Sequence, residues 1–152
     1  MRVVIQRVKE ARVTIKSQKV AEIGVGLCIF LGIQVEDSSM DDIKWLCKKI
    51  ANLRIFNDSN GVMNHSLKEL EKEILLISQF TLYANTKKGN RPSFVKSAPA
   101  ETAEPLYKLV RERLEEEIGR KISTGVFGAD MQVDLCNDGP VTIIIDTQNK
   151  EL

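Results

Sequence analysis

The stretch that decides the fold runs from Glu73 to Ala84 and reads Glu-Ile-Leu-Leu-Ile-Ser-Gln-Phe-Thr-Leu-Tyr-Ala. Its first half, Ile74–Ile77, is a continuous apolar run, which is typical of a strand that is covered on both faces. The polar and aromatic second half, Ser78–Tyr83, keeps strand propensity without a break. We therefore predict one buried strand along the whole stretch, with alternate side chains on opposite faces.

The end of this predicted strand is polar. Ser78 shares one face with Phe80 and Leu82, while Gln79 and Thr81 lie on the other face. A buried polar group without a partner costs about 1–3 kcal/mol, so these side chains need partners. Either the strand leaves the core towards solvent here, or the polar end forms a functional site. The stretch alone leaves both interpretations open.

Composition indicates an ordinary globular protein. The chain has 152 residues, 43% hydrophobic and 28% charged, which predicts one domain over residues 1–152. The formal net charge of +1 gives no general attraction to nucleic acid, so any RNA contact is local and no DNA partner is expected. No apolar run approaches the length needed to cross a membrane, so we predict a cytoplasmic protein that does not bind membranes.

Metal and nucleophile chemistry based on histidine or cysteine is not expected. Cys28, Cys47 and Cys136 are odd in number and lack metal-ligand spacing, so we predict buried thiols in a reducing compartment. His65 is the only histidine, which argues against a Ser-His-Asp or Cys-His arrangement and against a metal site. We predict neither a metal nor a cofactor, and the sequence assigns no role to His65.

The rest of the chain predicts short strands around two helices. The first helix runs from Met40 to Leu53, and the second extends from the Pro99–Pro105 region to Gly119. Trp45 lies off the apolar stripe of the first helix, so it either covers the helix edge or belongs to a contact surface. The predicted strands are Met1–Val8 and Ala11–Ile15 as a hairpin, Val20–Ile23 after a turn at Ser17–Lys19, Leu27–Leu31, Arg54–Phe56, Met131–Cys136 and Val141–Asp146.

A basic loop follows the central stretch. Lys87, Lys88 and Arg91 surround Gly89 directly after the polar strand end. Solvated basic loops are common, but clusters of this kind also bind backbone phosphates. We therefore consider the three cations candidates for contact with RNA.

A second informative motif is Asn137-Asp138-Gly139-Pro140-Val141-Thr142. Its first residues favour a turn between two strands, yet a plain hairpin turn would end at the glycine and gain nothing from the proline. Together with Ser78-Gln79-Phe80-Thr81-Leu82, this motif resembles the D-aminoacyl-tRNA deacylase family. The resemblance covers essentially the whole chain and includes Met1–Val8, Arg54–Phe56, Arg91–Phe94 and Gly125–Met131.

The resemblance implies an α/β fold and an activity. The fold would be a compact single domain of three α/β/β layers, with mixed, mostly antiparallel sheets and two main helices, assembled as a homodimer. The family hydrolyses the ester between a D-amino acid and the terminal adenosine of tRNA, and it clears glycine mischarged on alanine tRNA. The partner would therefore be the tRNA acceptor end carrying a D-amino acid or glycine.

The resemblance also implies roles for individual residues. Ser78, Gln79, Phe80 and Thr81 would form the catalytic floor of the pocket, and Phe127, Met131 and Asn137 would line the substrate. Gly139-Pro140, a cis peptide in this family, would enter from the other subunit and reject L-amino acids. The resemblance gives no role to Lys87, Lys88 and Arg91; as the densest positive cluster beside the motif, they are our candidates for contact with phosphates near the acceptor end.

The chemistry within the motif leaves two mechanisms open. Thr81 is the only candidate nucleophile in the motif, but no base stands beside it. Alternatively, water attacks under the guidance of the substrate's 2′-hydroxyl, with backbone N–H groups near Phe80 and Thr81 as oxyanion donors. Two other functions also remain: removal of L-serine, as in the similar editing domain of archaeal threonyl-tRNA synthetases, and binding of tRNA ends without catalysis.

Overall fold

A computed structural model describes residues 1–151 of the chain. In this part of the chain, eight strands and two α-helices follow one another, with a 3₁₀ turn at Phe80–Tyr83. The strands are β1 (Arg2–Ile15), β2 (Gln18–Ile23), β3 (Gly26–Gly32), β4 (Phe56–Asn57), β5 (Met63–His65), β6 (Glu73–Ser78), β7 (Ser123–Thr124) and β8 (Gln132–Asp146); the helices are α1 (Met40–Asn52) and α2 (Ala100–Ile118).

Strand β1 organises a six-stranded mixed sheet, in which five strands follow the order β2-β1-β3-β6-β7 and the sixth, β8, pairs with β1 off this path. One edge of β1 pairs with β3 through Arg2–Val8 and with β2 through Ala11–Ile15, and the other edge pairs with β8. All of these pairings are antiparallel, whereas β6 lies parallel to β3 and to β7. The sheet is therefore mixed and mostly antiparallel, as predicted.

The two faces of β6 contact two different apolar clusters. Ile74 and Leu76 belong to the larger cluster, which both helices cover, and Leu75 and Ile77 belong to a second cluster with Val13 and residues of β2 and β3. The sheet folds back on itself around this second cluster, which produces α/β/β layering. Each of these fully buried side chains contributes about 1.5–3 kcal/mol. The prediction that Ile74–Ile77 is covered on both faces is confirmed.

Both helices form where the apolar periodicity predicts them. The hydroxyl oxygen of Ser39 accepts a hydrogen bond from the N–H of Asp42 at 3.2 Å and so caps α1, whose buried stripe contains Ile43, Leu46 and Ile50. Helix α2 ends at Gly119, whose φ of 73° is the left-handed conformation that favours glycine. The two helices pack side by side over the larger cluster.

The prediction of one strand from Glu73 to Ala84 is wrong in its second half. Strand β6 ends at Ser78, after the N–H of Gln79 donates to the carbonyl oxygen of Leu31 at 2.8 Å. The neighbouring strand β3 ends at Gly32, so a longer β6 would have no ladder partner there. Bonds of the i to i+3 type replace the ladder, including one from Leu82 N–H to the Gln79 oxygen at 3.3 Å. The predicted alternation of Ser78, Phe80 and Leu82 on one face therefore does not occur.

Two predicted turns are also absent because β1 and β8 are long and pair with each other. Strand β1 is continuous through Val8–Ala11 and is not a hairpin; its tight turn comes later, at Lys16 and Ser17, which both have positive φ. Strand β8 is likewise continuous through Asn137–Pro140, with shifts of register against Gln6–Glu10. The motif is therefore a bulged part of a strand instead of a connection between two strands. The predicted strand at Arg54–Phe56 begins later, at Phe56.

The cysteine prediction holds for two of the three thiols. Cys28 and Cys47 are buried, and burial raises the pKa of each thiol to about 12. Cys136 is exposed on β8, contrary to the prediction, because the alternation of that strand places its side chain on the outer face. Within residues 1–151, neither helix has the length and apolar character required to cross a membrane.

Candidate active site

A cleft of about 410 Å³ opens where β3 and β6 end. The ends of these strands, the start of α2 and the segment before β8 all contribute to its walls. The lining residues are Leu31, Ile33, Ile77, Ser78, Gln79, Phe80, Ala98, Ala100, Ala103, Phe127, Gly128, Ala129, Asp130, Met131 and Val133. The structure thus brings together Ser78, Gln79, Phe80, Phe127 and Met131, all of which the sequence identified.

Thr81 lies beside this cleft without a catalytic base. Its hydroxyl oxygen accepts a hydrogen bond from the amide nitrogen of Gln79 at 2.5 Å. A glutamine amide cannot take up a proton at neutral pH, so it orients the hydroxyl but does not activate it. The one ionisable side chain among the lining residues is Asp130. Within residues 1–151, the Thr81 hydroxyl forms no hydrogen bond to Asp130 or to any other ionisable side chain, so no base contacts it.

The 3₁₀ turn offers backbone donors at the floor of the cleft. Within residues 1–151, the N–H groups of Phe80 and Thr81 have no acceptor, since the bonds of the turn start from Leu82 and later residues. The carbonyl oxygen of Phe80 is fixed by the hydroxyl of Ser97, which donates to it at 2.9 Å. Two free N–H groups on a fixed backbone can stabilise negative charge on an oxygen.

The 3₁₀ turn is held from below by two residues that the sequence reasoning missed. A Cβ added to Gly32 would lie 3.0 Å from both the Gln79 oxygen and the Leu82 Cβ, so a side chain here would require the turn to shift by a few tenths of an ångström. Arg2 donates to the Leu82 oxygen at 3.0 Å, lies over the Tyr83 ring and forms an ion pair with Asp146 at 2.8 Å. In the sequence, the one indication of this contact is that a glycine, Gly32, directly follows the apolar run Leu27–Leu31.

The opposite wall is apolar and rigid. Phe127 packs against Tyr107 with ring centroids 5.6 Å apart, and the Tyr107 hydroxyl donates to the Leu76 oxygen at 2.9 Å. Burial raises the pKa of Tyr107 to about 12, so this hydroxyl stays protonated. A Cβ on Gly125 would lie 2.6 Å from the sulfur of Met131, which shows how closely that side chain packs. The wall can therefore hold a flat or apolar group in a fixed position.

The second motif lies away from this cleft in the same chain. Asn137, Gly139 and Pro140 are exposed on β8 and do not line the cleft, although the Gly139-Pro140 peptide is cis, as the family resemblance implies. Gly139 has a φ of 124°, a conformation that favours glycine. The sequence thus identified two motifs that one chain does not bring together.

Arg7 holds the second motif and was also missed. Its side chain is buried and donates to the Asp138 oxygen at 3.1 Å and to the Ile55 oxygen at 2.6 Å. It also forms an ion pair with the Asp138 carboxylate at 3.2 Å. A buried guanidinium needs such partners, and here they fix the backbone immediately before Gly139.

The predicted basic loop extends from the 3₁₀ turn. Lys87, Lys88 and Arg91 are exposed, and within residues 1–151 none of them forms an ion pair. Backbone hydrogen bonds between Asn85 and Ser93, at 2.8 and 3.0 Å, close the base of the loop. The cations thus lie on a segment anchored next to the cleft.

Comparison with known proteins assigns the family. The family model described as D-Tyr-tRNA(Tyr) deacylase matches residues 4–146. The chain belongs to the D-Tyr-tRNA(Tyr) deacylase family. It is 58% identical over 151 residues to a D-aminoacyl-tRNA deacylase of Flavobacterium psychrophilum, covering 99% of this chain and all of that one. A D-aminoacyl-tRNA deacylase of Bacteroides thetaiotaomicron is 57% identical over the same length.

Solved structures share the fold of this chain. A structure named c-Myc DNA Unwinding Element Binding Protein superposes with a TM-score of 0.89 at 41% identity, covering 96% of this chain and 98% of that one. A probable eukaryotic D-amino acid tRNA deacylase shares the fold, with a TM-score of 0.82 at 16% identity. This member of the D-Tyr-tRNA(Tyr) deacylase family is therefore a hydrolase with a mixed α/β fold, as the family resemblance implied.

The remaining candidates lie outside the cleft of this family member. His65 is 3.9 Å from Glu69 and has a half-exposed side chain on β5. Trp45 packs against the larger cluster, with the ammonium groups of Lys49 and Lys150 at 5.8 and 4.9 Å from its ring. It covers the helix edge, which was one of its two predicted roles. Among residues 1–151, no group of His, Cys, Asp and Glu side chains is placed to hold a metal ion.

Proposed function

We propose that this chain hydrolyses the ester between a D-amino acid and the terminal adenosine of tRNA. The products are the free D-amino acid and tRNA. The observation that carries the proposal is a pair of free N–H groups in the 3₁₀ turn: that of Phe80, which lines the cleft, and that of Thr81, which follows it. They occur in a chain whose full-length relatives are named D-aminoacyl-tRNA deacylases.

The reaction proceeds by attack of water on the ester carbonyl carbon. The bond from this carbon to the ribose oxygen breaks, and the proton that water loses ends on that oxygen. The neighbouring 2′-hydroxyl of the substrate guides the water, because Thr81 has only the Gln79 amide beside it. The N–H groups of Phe80 and Thr81 stabilise the oxyanion, and a single donor of this kind contributes roughly 10²–10³-fold in rate.

The cleft walls bind the substrate on either side of the ester. Phe127 and Met131 contact the adenosine and the aminoacyl group, and Ser78 and Gln79 form the polar floor. Lys87, Lys88 and Arg91 bind phosphates of the acceptor end, for which their unpaired charges are suited. The proposed enzyme acts in the cytoplasm, without a metal or a cofactor and without DNA as a partner.

Selection against L-amino acids depends on a second copy of the chain. Gly139 and Pro140 are exposed and fixed by Arg7, yet they lie outside the cleft of their own chain. We therefore place them, with Asn137, in the cleft of a partner subunit in a homodimer. A rigid backbone oxygen there binds the substrate ammonium and leaves no room for an L side chain. Glycine has no side chain to exclude, so glycyl-tRNA is also cleaved, including glycine mischarged on alanine tRNA.

One assay with four substrates tests the function. Purified protein is incubated with D-tyrosyl-, L-tyrosyl-, glycyl- and L-seryl-tRNA, and the remaining ester is measured over time. We expect rapid loss of the D-tyrosyl and glycyl esters and stable L-esters. Preferential cleavage of L-seryl-tRNA would favour the synthetase-type editing function instead. Binding of all four without cleavage would leave a tRNA-end binding module.

A further inference from the structure

An aromatic pair lies at the rim of the cleft, with the ring of Phe80 exposed and that of Phe94 half-buried. Phe80 is 56% exposed although it lines the cleft, and its ring meets that of Phe94 edge to face, with centroids 5.0 Å apart. A phenylalanine this exposed forfeits much of its burial energy, and contiguous exposed apolar surface commonly marks an interaction site. The ester chemistry uses only the backbone of Phe80, so the aromatic pair Phe80–Phe94 has no role in it.

The aromatic pair is fixed before any partner binds. The hydroxyl of Ser97 holds the Phe80 carbonyl at 2.9 Å, and Asn85 and Ser93 are joined by two backbone hydrogen bonds directly before Phe94. The side-chain oxygen of Asn85 also accepts from the N–H of Lys87 at 2.9 Å. Because both rings sit on anchored backbone, a partner can stack on them without first ordering the segment.

Unpaired positive charge surrounds the pair. The sequence from Ile74 to Ala100 contains no aspartate or glutamate, yet it includes Lys87, Lys88, Arg91 and Lys96. Within residues 1–151, none of these four cations forms an ion pair, whereas lysines and arginines elsewhere in the chain frequently do. A segment with this charge in a chain of net charge +1 complements a polyanion.

We infer that the aromatic pair stacks the base of the penultimate nucleotide of a single-stranded RNA 3′ end, while the cations bind the adjoining phosphates. The inference rests on the proposed function, which places the terminal adenosine in the cleft. The next nucleotide then leaves over the rim that Phe80 and Phe94 form. Aromatic rings bordered by cations are the recurrent platform for single-stranded nucleic acid. An apolar protein segment would use the rings but not the four cations.

Substrates of two lengths isolate the stacking contact. D-tyrosyl-adenosine ends at the terminal nucleoside, whereas D-tyrosyl-CpA adds one cytidine that can stack on Phe94. For Phe94→Leu, which keeps apolar volume against Phe80 but lacks a π face, we expect kcat/KM on the CpA ester to fall roughly 5- to 150-fold. Its kcat/KM on the adenosine ester stays as in the unmodified protein, and Phe94→Tyr preserves both values. Val95→Ala serves as the matched control, because Val95 is 78% exposed in the same segment and belongs to neither ring.

Binding of uncharged RNA separates this inference from the proposed function. A minihelix ending in CCA should bind the unmodified protein more tightly than one with an abasic penultimate position, and Phe94→Leu should abolish that difference. If this holds but no D-ester is cleaved, the stacking site stands and the proposed function fails. The inference is overturned if Phe94→Leu lowers kcat/KM equally on both esters, or if the unmodified protein binds the abasic minihelix as tightly as the intact one. A change of oligomeric state in Phe94→Leu would also overturn it and would assign the aromatic pair to a protein interface.

Discussion

At the scale of single residues, the cleft contains hydroxyl groups and donors but lacks a side chain that accepts a proton next to Thr81. The side chain that contacts the Thr81 hydroxyl is Gln79, which donates to the oxygen and cannot accept the hydroxyl proton. An aminoacyl ester is already activated, so orientation and oxyanion stabilisation suffice for its hydrolysis. Catalysis therefore depends on the backbone N–H groups, which stabilise the oxyanion, and on the 2′-hydroxyl of the substrate, which guides the water.

Thr81→Ala should consequently retain deacylase activity within several-fold of the unmodified protein. Conversely, replacing the 2′-hydroxyl of the terminal adenosine with hydrogen should slow hydrolysis by about 10²–10⁴-fold, the usual contribution of a positioned proton-transfer group. Both rates are measured on D-tyrosyl-tRNA under single turnover. If Thr81→Ala abolishes activity while folding and substrate binding persist, Thr81 is the nucleophile.

The three thiols should differ sharply in reactivity. Burial raises the pKa of Cys28 and of Cys47 from 9.0 to about 12, so below pH 9 both remain protonated as well as inaccessible. Cys136 is exposed. We expect one thiol per chain to react with a disulfide reagent at pH 8 in the native protein, and all three in denaturant. The variant Cys136→Ser, which should show no native reaction, is the control; rapid labelling of Cys28 or Cys47 would contradict their burial.

At the scale of elements, the 3₁₀ turn carries the floor of the cleft and depends on residues outside it. Gly32 allows the turn to pack on the end of β3, and Arg2 connects the turn to Asp146 at the end of β8. A short turn has few bonds of its own, so its position is set by these contacts. Substitutions beneath the turn should therefore affect catalysis.

Gly32→Ala tests this dependence. The added methyl would lie 3.0 Å from the Gln79 oxygen, and a backbone atom must move to admit it. We expect a loss of about 1–3 kcal/mol in stability, as for other overpacked sites, with a larger proportional loss of kcat than of substrate affinity. Gly24→Ala is the control, because its methyl meets only the flexible carboxylate of Glu73 at 3.3 Å. Normal kcat in Gly32→Ala would show that the turn tolerates displacement.

The basic loop makes a separate, electrostatic prediction. Replacing Lys87, Lys88 and Arg91 together with alanine should weaken tRNA binding and reduce the slope of log Kd against log salt concentration by about 2, at roughly 0.7 per lost phosphate contact with a single strand. The control is a variant with alanine at Lys44, Lys48 and Lys108, which are exposed on the helices. It lowers the net charge by the same amount as the loop variant. An unchanged slope would mean that the loop is only solvated.

At the scale of the whole molecule, the two sequence motifs lie apart within one chain. The floor at Ser78–Phe80 lines the cleft, while Gly139 and Pro140 are exposed elsewhere, held by a buried arginine. Fixing an exposed bulge so firmly is explained if it serves a neighbouring molecule. In a symmetric dimer each motif would complete the cleft of the other subunit.

Complementation between two variants with impaired activity tests this arrangement. Gly32→Ala damages the floor, and Gly139→Ala damages the bulge, because its methyl would lie 3.1 Å from the Arg7 guanidinium at a φ that disfavours side chains. Mixed under conditions that exchange subunits, the two should regain activity, since each heterodimer contains one intact floor facing one intact bulge. Sedimentation should give twice the chain mass of 17.1 kDa. A fully active monomer would contradict the dimer.

Local patterns in the sequence were sufficient for both helices and for the buried half of the central strand, and the family resemblance pointed to part of the cleft. The apolar run Ile74–Ile77 predicted a strand covered on both faces, and apolar periodicity predicted both helices, the second with its end at Gly119. These features depend on side chains close together in the chain, so they can be predicted without knowledge of the tertiary structure. The family resemblance pointed to Ser78–Phe80, Phe127 and Met131, which the fold brings to one cleft, and also to Asn137, which lies outside it.

Only the tertiary structure decided where strands end, what holds the motifs and which surfaces stay open. Strand β6 stops at Ser78 because its neighbour β3 stops at Gly32, and β8 passes through Asn137–Pro140 because β1 pairs along its length. Hydrogen bonds between strands join residues that are far apart in the sequence. The residue at which a strand ends therefore depends on its neighbouring strand and not on its own residues alone. The same holds for the buried hydrogen bonds of Arg7 and for the exposure of the Phe80 ring, because each depends on neighbours that are distant in the sequence.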